Sequence, residues 1–202
     1  MSFKKIPEAL SENLVRNEIM EPNEFQTKIL SKIKSGAHIY GIGPKGCGKS
    51  MALMISVLTK LKSKAQGDNP RALIFVKDKD AAENLAAEFK KLTRFTSVRV
   101  VLAIEEHTLA KQKDEIYLGS DIVIATPKRL SKLYFLNGIN LTELQMMIVE
   151  DAEFTIKNNF HTTIDRISES LPKTQFLMFF KEKHNRFDEL FMSRAITVSV
   201  KE

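Results

Sequence analysis

Apolar residues recur at three- and four-residue spacing over residues 7–19 (PEALSENLVRNEI) and 24–34 (EFQTKILSKIK), the stripe expected of two amphipathic helices. The apolar run AHIYGIG, residues 37–43, then predicts a strand, and a helix is expected from 49 to 64 after a glycine-rich loop. From there the pattern alternates. Strands are predicted over 72–76, 98–103, 121–125, 146–150, 175–180 and 196–200, and helices over 80–92, near 108–118, over 127–136, near 160–171 and over 185–195. The strands are nearly continuous apolar runs such as ALIFV, DIVIA and QFLMFF, as strands buried on both faces must be. This predicts an α/β fold, a parallel β-sheet covered by helices on both faces. The turn-rich stretch KAQGDNPR, residues 64–71, reads as a loop, and no repeat, low-complexity tract or linker divides the chain.

Composition narrows the setting. At 202 residues the chain suits one domain, and 43% hydrophobic with 28% charged residues is the balance of a globular protein. Its 31 basic and 25 acidic side chains leave a net charge of +6, which favours an anionic partner such as nucleic acid. One cysteine excludes an internal disulfide framework, the N-terminal stretch MSFKKIPEALSEN lacks the apolar core of a secretory signal, and no apolar run is long enough to cross a bilayer. A cytoplasmic location and no membrane partner are the expectations. The four histidines have no cysteine or carboxylate partners at metal-ligand spacing, so a structural zinc is not expected.

The loop between the first predicted strand and its helix reads GIGPKGCGKS, residues 41–50. Gly43, four residues and then Gly48, Lys49 and Ser50 form the pattern of a phosphate-cradling loop. Such a loop lies at the carboxyl end of a parallel sheet, where ligands bind, and its glycines let backbone N–H groups turn inward around phosphate oxygens, so Gly43, Pro44, Lys45, Gly46, Cys47 and Gly48 are the candidate phosphate-binding residues. The helix that follows offers its positive end. Lys49 would lie against the outer phosphates of a nucleotide and the Ser50 hydroxyl would ligate Mg2+. Cys47 reads as a small filler within the loop.

Three further stretches join this loop: EIMEPNEFQ before it, ATPKRL after the strand at 121–125, and VEDAE on the strand at 146–150. Together they resemble the first, RecA-like domain of DEAD-box ATP-dependent RNA helicases, with degenerate motifs, from Phe3 to Val200. The resemblance implies one RecA-like domain over residues 1–202, with adenine-recognition helices in 1–36, a phosphate-loop core in 37–202 and no second helicase domain. It also implies ATP or ADP with Mg2+ as ligands. Pro22 and Gln26 match the family's adenine-reading motif, in which Gln26 would hold the adenine edge and the upstream aromatic Phe3 would pack on it.

The resemblance likewise implies RNA, single-stranded or structured, as partner. Thr126, Pro127, Lys128, Arg129 and Leu130 stand where the family has T-P-G-R-hydrophobic, and Lys79 is the candidate for another RNA-contacting arginine. Lys128 adds charge where the family has glycine, and Glu105 and Glu106 stand where it has a glycine pair, so carboxylates face the expected phosphate path. The alternative is that Lys79, Lys128 and Arg129 are ordinary surface charges. In the family's D-E-A-D the first acid holds magnesium through water and the second activates the attacking water. Here the four residues are Glu150, Asp151, Ala152 and Glu153, every acid exchanged for the other length. Glu150 is the metal candidate and Asp151 the catalytic base, one methylene short, where a displacement of about 1 Å can cost about a hundredfold in rate. Phe180, Lys181 and Glu182 replace the S-A-T motif that couples hydrolysis to unwinding.

Three readings follow. The chain is a nucleotide-dependent binding module for ATP or ADP and RNA with little or no hydrolysis of its own. Or it is the N-terminal half of an active helicase, completed by a second RecA-like domain or another protein in cis or in trans. Or it is a scaffold that has kept the fold and lost the nucleotide.

Overall fold

The apolar runs become parallel strands in the protein, seen in a computed structural model that describes residues 3, 5–171, 173–182, 187 and 195–200. The strands are β1 (Ile39–Ile42), β2 (Ala72–Phe75), β3 (Val100–Ala103), β4 (Ile122–Ala125), β5 (Met146–Val149), β6 (Gln175–Phe180) and β7 (Ile196–Ser199). They form one seven-stranded sheet in the order β3-β4-β2-β5-β6-β1-β7, every pair parallel. The helices among the described residues are α1 (Glu8–Arg16), α2 (Glu24–Ile33), α3 (Lys49–Lys60), α4 (Lys79–Leu92), α5 (Leu109–Tyr117), α6 (Pro127–Phe135), α7 (Glu153–Lys157) and α8 (His161–Glu169).

Alternation along each strand sends neighbouring side chains to opposite faces. Ile39, Ile74, Ile124, Ile148 and Leu177 meet Leu10 of α1, Phe25 of α2, Leu53 of α3 and Phe89 of α4. Tyr40, Leu73, Val123, Met147 and Met178 meet Ile116 of α5, Leu133 of α6 and Ile164 of α8. The central strands are therefore buried on both faces, which is why β2, β4 and β5 are apolar at every position, while the edge strand β7 carries Thr197 and Ser199. Phe3 is half-buried and packs against the α1–α4 side. None of the described helices is long and apolar enough to cross a membrane.

The expected α/β order holds, and the departures have local causes. α1 stops at Arg16 and α3 at Lys60, short of the expected 19 and 64. Each is closed by paired backbone bonds of the Schellman kind: Ile19 N–H to Leu14 O with Glu18 N–H to Val15 O, and Ser63 N–H to Leu58 O with Lys62 N–H to Thr59 O. The residues that turn left-handed there are Glu18 (φ 60°) and Lys62 (φ 56°) rather than glycines, so nothing in the sequence marks the stop. α7, a single turn, was not expected, because five residues are too few to show periodicity. The helix expected over 185–195 lies outside the described residues, apart from Phe187 and Ala195.

At the edge where strands begin sits a buried ion cluster. The Asp121 side chain, immediately before β4, is fully buried. Its Oδ1 accepts from Arg71 Nη2 at 2.7 Å and from the Gln66 amide at 3.0 Å, and its Oδ2 accepts from Arg99 Nε and the Arg99 amide, each at 3.0 Å. Arg71 precedes β2 and Arg99 precedes β3, so one carboxylate ties three strand starts together. It also shortens β3 to Val100–Ala103, since Arg99 spends its amide on Asp121.

Burial alone would raise the Asp121 carboxyl, but the bonds from Arg99, Arg71 and the two amides hold it below its ordinary value. The stability it contributes is thus fully present above about pH 4, the ordinary aspartate value, and is lost as pH falls through the lowered native value. Asp121→Asn leaves the Arg71 guanidinium, itself 3% exposed, without its counter-charge. The expected cost is about 3–5 kcal/mol, read as a lower urea midpoint at neutral pH. An unchanged midpoint would mean that the four bonds add nothing net.

Candidate phosphate-binding site

Because every strand runs the same way, every loop that leaves a strand leaves at one edge. That edge gathers residues 43–48 after β1, Lys79 after β2, Glu105 after β3, residues 126–129 after β4, residues 150–153 after β5 and residues 181–182 after β6. The sequence-predicted site residues are all here except Phe3 and Gln26, which approach from the α1–α4 side.

The glycine-rich loop is anchored at both ends. The Gly43 amide donates to Phe180 O at 3.1 Å, continuing the β1–β6 pairing, and α3 begins at Lys49. Between them Gly46 (φ 87°) and Gly48 (φ 90°) take left-handed backbone that a side chain would strain. Gly48 is also crowded: a Cβ there would lie 2.6 Å from Asn23 Nδ2 and 2.7 Å from Gln26 Nε2. Asn23 Nδ2 in turn donates to Cys47 O at 3.0 Å. Pro44 and Cys47 are half-buried, while Lys45 and Gly46 are exposed at the loop tip.

Gln26, 6% exposed, is held by a capping box at the start of α2. Its backbone amide donates to Asn23 Oδ1 at 2.9 Å, and its Oε1 accepts from the Asn23 amide at 3.0 Å. The side-chain carbonyl is thereby committed, and the amide end is left toward Gly48. Asn23, which the motif comparison passed over, fixes both Gln26 and the loop. Asn followed three residues on by Gln before an apolar stripe is a helix-start signal that was present in the sequence.

Lys49 folds back. Its Nζ donates to Gly43 O at 2.8 Å and Pro44 O at 2.9 Å, and the residue is 8% exposed. Ser50 Oγ donates to Glu150 Oε1 at 2.5 Å, a bond that reaches across β6 from the end of β1 to the end of β5. Burial pushes the Glu150 carboxyl above its ordinary value, the Ser50 bond lowers it, the charge of Asp151 raises it and Lys49 lowers it. A hydroxyl and a carboxylate in contact beside an ammonium are the hard-oxygen donors and counter-charge that a magnesium phosphate needs, so the residues fit that group. Asp151 is exposed, with left-handed backbone (φ 45°) that carries its side chain away from the buried run of β5.

Glu153, at the start of α7, accepts from the Lys181 amide at 2.5 Å and the Glu182 amide at 3.1 Å. The loop after β6 is therefore tied to the Glu150–Glu153 segment through backbone donors and needs no side-chain hydroxyl for that tie.

On the β2, β4 and β3 side the charges are less free than the sequence implies. Thr126 Oγ1 accepts from the Arg129 amide at 3.4 Å, capping α6, and donates to Glu105 Oε2 at 2.6 Å. The Arg129 guanidinium turns inward, donating from Nη2 to Glu105 O at 2.7 Å and His107 O at 2.9 Å. It is 8% exposed and Pro127 is buried beside it. Lys128 is exposed, and Lys79 lies 3.7 Å from Glu83 on its own helix. Glu105, read in the sequence as a phosphate-repelling charge, accepts the hydrogen bond of the Thr126 hydroxyl.

The family model for the DEAD/DEAH box helicase matches residues 23–180. Among curated relatives, the chain is 26% identical over 168 residues to the ATP-dependent RNA helicase DBP10 of Saccharomyces cerevisiae, covering 83% of this chain and 17% of that protein. The fold superposes on the yeast DEAD-box splicing factor Prp28 with a TM-score of 0.88 and 19% identity, over 99% of this chain and 50% of that one. For a DEAD box protein from Methanococcus jannaschii the TM-score is 0.87 at 15% identity, over 100% of this chain and 56% of the other. The chain spans under a fifth of the length of the curated relatives it matches.

Two substitutions read this geometry. Gly48→Ala adds strain and a clash with the Asn23 and Gln26 amides, and is expected to cost about 1–3 kcal/mol of unfolding free energy. Wild-type stability in that variant would show that the α2 cap stands clear of the loop. Glu150 carries a raised native value, so its contribution is full below about pH 4 and is lost as pH rises through that native value. Glu150→Gln is thus expected to melt higher than wild type near neutrality, with the difference fading toward pH 4. A difference independent of pH would remove Glu150 burial as its cause.

Proposed function

We propose, from the premise that this chain belongs to the DEAD/DEAH box helicase family, that it is a RecA-like module binding ATP or ADP with magnesium and single-stranded RNA, with little or no hydrolysis of its own. The observation that carries this reading is the Ser50–Glu150 bond at 2.5 Å beside Lys49, at the mouth of a glycine loop. Loop amides of residues 45–48 would hold phosphate oxygens, with Lys49 as counter-charge and the α3 N-terminus behind them. Ser50 and Glu150 would hold the magnesium, which when bound neutralises phosphate charge. The Gln26 amide end, beside Gly48, is suited to an acceptor on the adenine edge, with Phe3 supporting that side of the site.

For RNA, Lys128 and the capped α6 N-terminus offer phosphate donors, Lys79 adds charge at α4, and Thr126, Pro127 and Arg129 set the shape of the loop. Weak hydrolysis follows from Asp151, whose short and outward carboxylate is poorly set to draw a proton from a water near Ser50. A second reading, the N-terminal half of an active ATP-dependent helicase, draws on the length of the relatives the chain matches.

Titration with fluorescent ATP and ADP, with and without magnesium, tests the proposal. Saturable binding selective for adenine over guanine nucleotides is expected, weakened about tenfold or more by Lys49→Ala, with no RNA-stimulated turnover. Absence of binding at millimolar nucleotide would sink the nucleotide reading. RNA-stimulated turnover, alone or on addition of a second RecA-like domain, would replace it by the second reading.

A further inference from the structure

The other end of the molecule carries a cluster of charge that the nucleotide edge does not use. α1 and α4 pack side by side, and where their C-terminal ends meet they leave a groove of about 480 Å³. Arg16 and Asn13 line it from α1, Lys90 and Lys91 from α4, and Arg94 from the turn beyond, with no acidic residue in the lining. Glu12 pairs with Arg16 at 3.2 Å and Glu88 with Lys91 at 2.5 Å, whereas Lys90 and Arg94 have no acidic partner among the described residues. Two cations are thus left uncompensated in a cleft with Arg16 and Lys91 at its rim.

An aromatic stands on the same rim. Phe95 is 75% exposed, and the guanidinium carbons of Arg16 and Arg94 lie 5.0 Å and 4.9 Å from its ring centroid. Its backbone is left-handed (φ 62°), an unusual conformation for a bulky residue, and it keeps the ring out of the core that Phe89 and Leu92 enter just before it. The turn is pinned from beneath: the buried Asn13 side chain donates to Leu92 O at 2.9 Å and Arg94 O at 2.7 Å. Arg94 and Phe95 are therefore presented from a fixed base.

Three planar groups in contact beside uncompensated lysine and arginine charge combine the two elements by which single strands are held without sequence readout, stacking surfaces for bases and cations for the backbone. We propose that this α1–α4 groove is a second binding site for single-stranded nucleic acid, separate from the loop edge of the sheet and independent of nucleotide. Lys90 and Arg94 take phosphates, and the Arg16–Phe95–Arg94 layer stacks bases. An acidic peptide would use the cations but gain little from the stacked layer, and the single-stranded occupant uses both.

The test is fluorescence anisotropy with a labelled twelve-residue oligouridylate, without ATP, over a series of salt concentrations. The variants are Phe95→Ala, the pair Lys90→Glu with Arg94→Glu, and Lys157→Glu on α7 as the control away from the groove. All four positions are exposed, and circular dichroism checks that each variant folds as wild type does. The charge-reversal pair is expected to weaken binding more than tenfold and to flatten the slope of log affinity against log salt by about 1.4, the value for two phosphate contacts on a single strand. Phe95→Ala is expected to weaken it about tenfold, and Lys157→Glu to leave this ATP-free binding in place. Unchanged affinity and slope in the charge-reversal pair, or loss of all binding in Lys157→Glu, would overturn the proposal. So would polyglutamate competing as well as unlabelled oligouridylate. Since ATP is omitted, failure here leaves the nucleotide-site reading standing, and failure of that reading leaves this one.

Discussion

Parallel pairing is the constraint from which the rest follows. A strand that must run beside its neighbour in the same direction cannot return by a hairpin, so each connection crosses a face of the sheet, mostly as a helix, and the strand ends collect at one edge. Residues distant in sequence meet there without any contact designed between them in particular. Ser50 and Glu150, a hundred positions apart, touch because β1 and β5 both end beside β6. The same rule brings Glu105 to Thr126 and Glu153 to the amides of residues 181 and 182.

The opposite edge answers a different demand. Three neighbouring strands, β3, β4 and β2, start from Arg99, Asp121 and Arg71. One carboxylate with four donors fixes their starts, which sets the register in which Lys79, Glu105 and Thr126 emerge at the far end. Charge buried at either edge is paired, Asp121 with two arginines and Lys49 and Arg129 with backbone carbonyls, as the high cost of an unpaired buried ion demands.

Much of the fold was legible because it rests on apolar runs: each described strand and every described helix but α7 lie where the pattern of residues predicts them. What was not legible depends on hydrogen bonds with no composition signature. The left-handed stops at Glu18 and Lys62 lack a glycine, and the role of Asp121 comes from two arginines 50 and 22 residues away. At the candidate site the loop and Ser50 were picked out by residue type and spacing and Glu150 by the family resemblance, and the structure brings Ser50 and Glu150 into contact. The inward turn of Arg129 was not, because its partners are backbone carbonyls at residues 105 and 107. Asn23 could have been found, since its capping signal is local.

The resting posture of Lys49 carries a consequence for how tightly anything can be held. Its ammonium is already satisfied by the carbonyls of Gly43 and Pro44, so the loop contains its own rival for the charge. A guest anion first has to win the lysine from its own backbone, and the strength it shows is the intrinsic contact diluted by how seldom the lysine is loose. Loosening that internal grip would free the ammonium without touching any other polar group of the loop, so the charge the loop can offer is set by the carbonyls of Gly43 and Pro44 as well as by Lys49 itself.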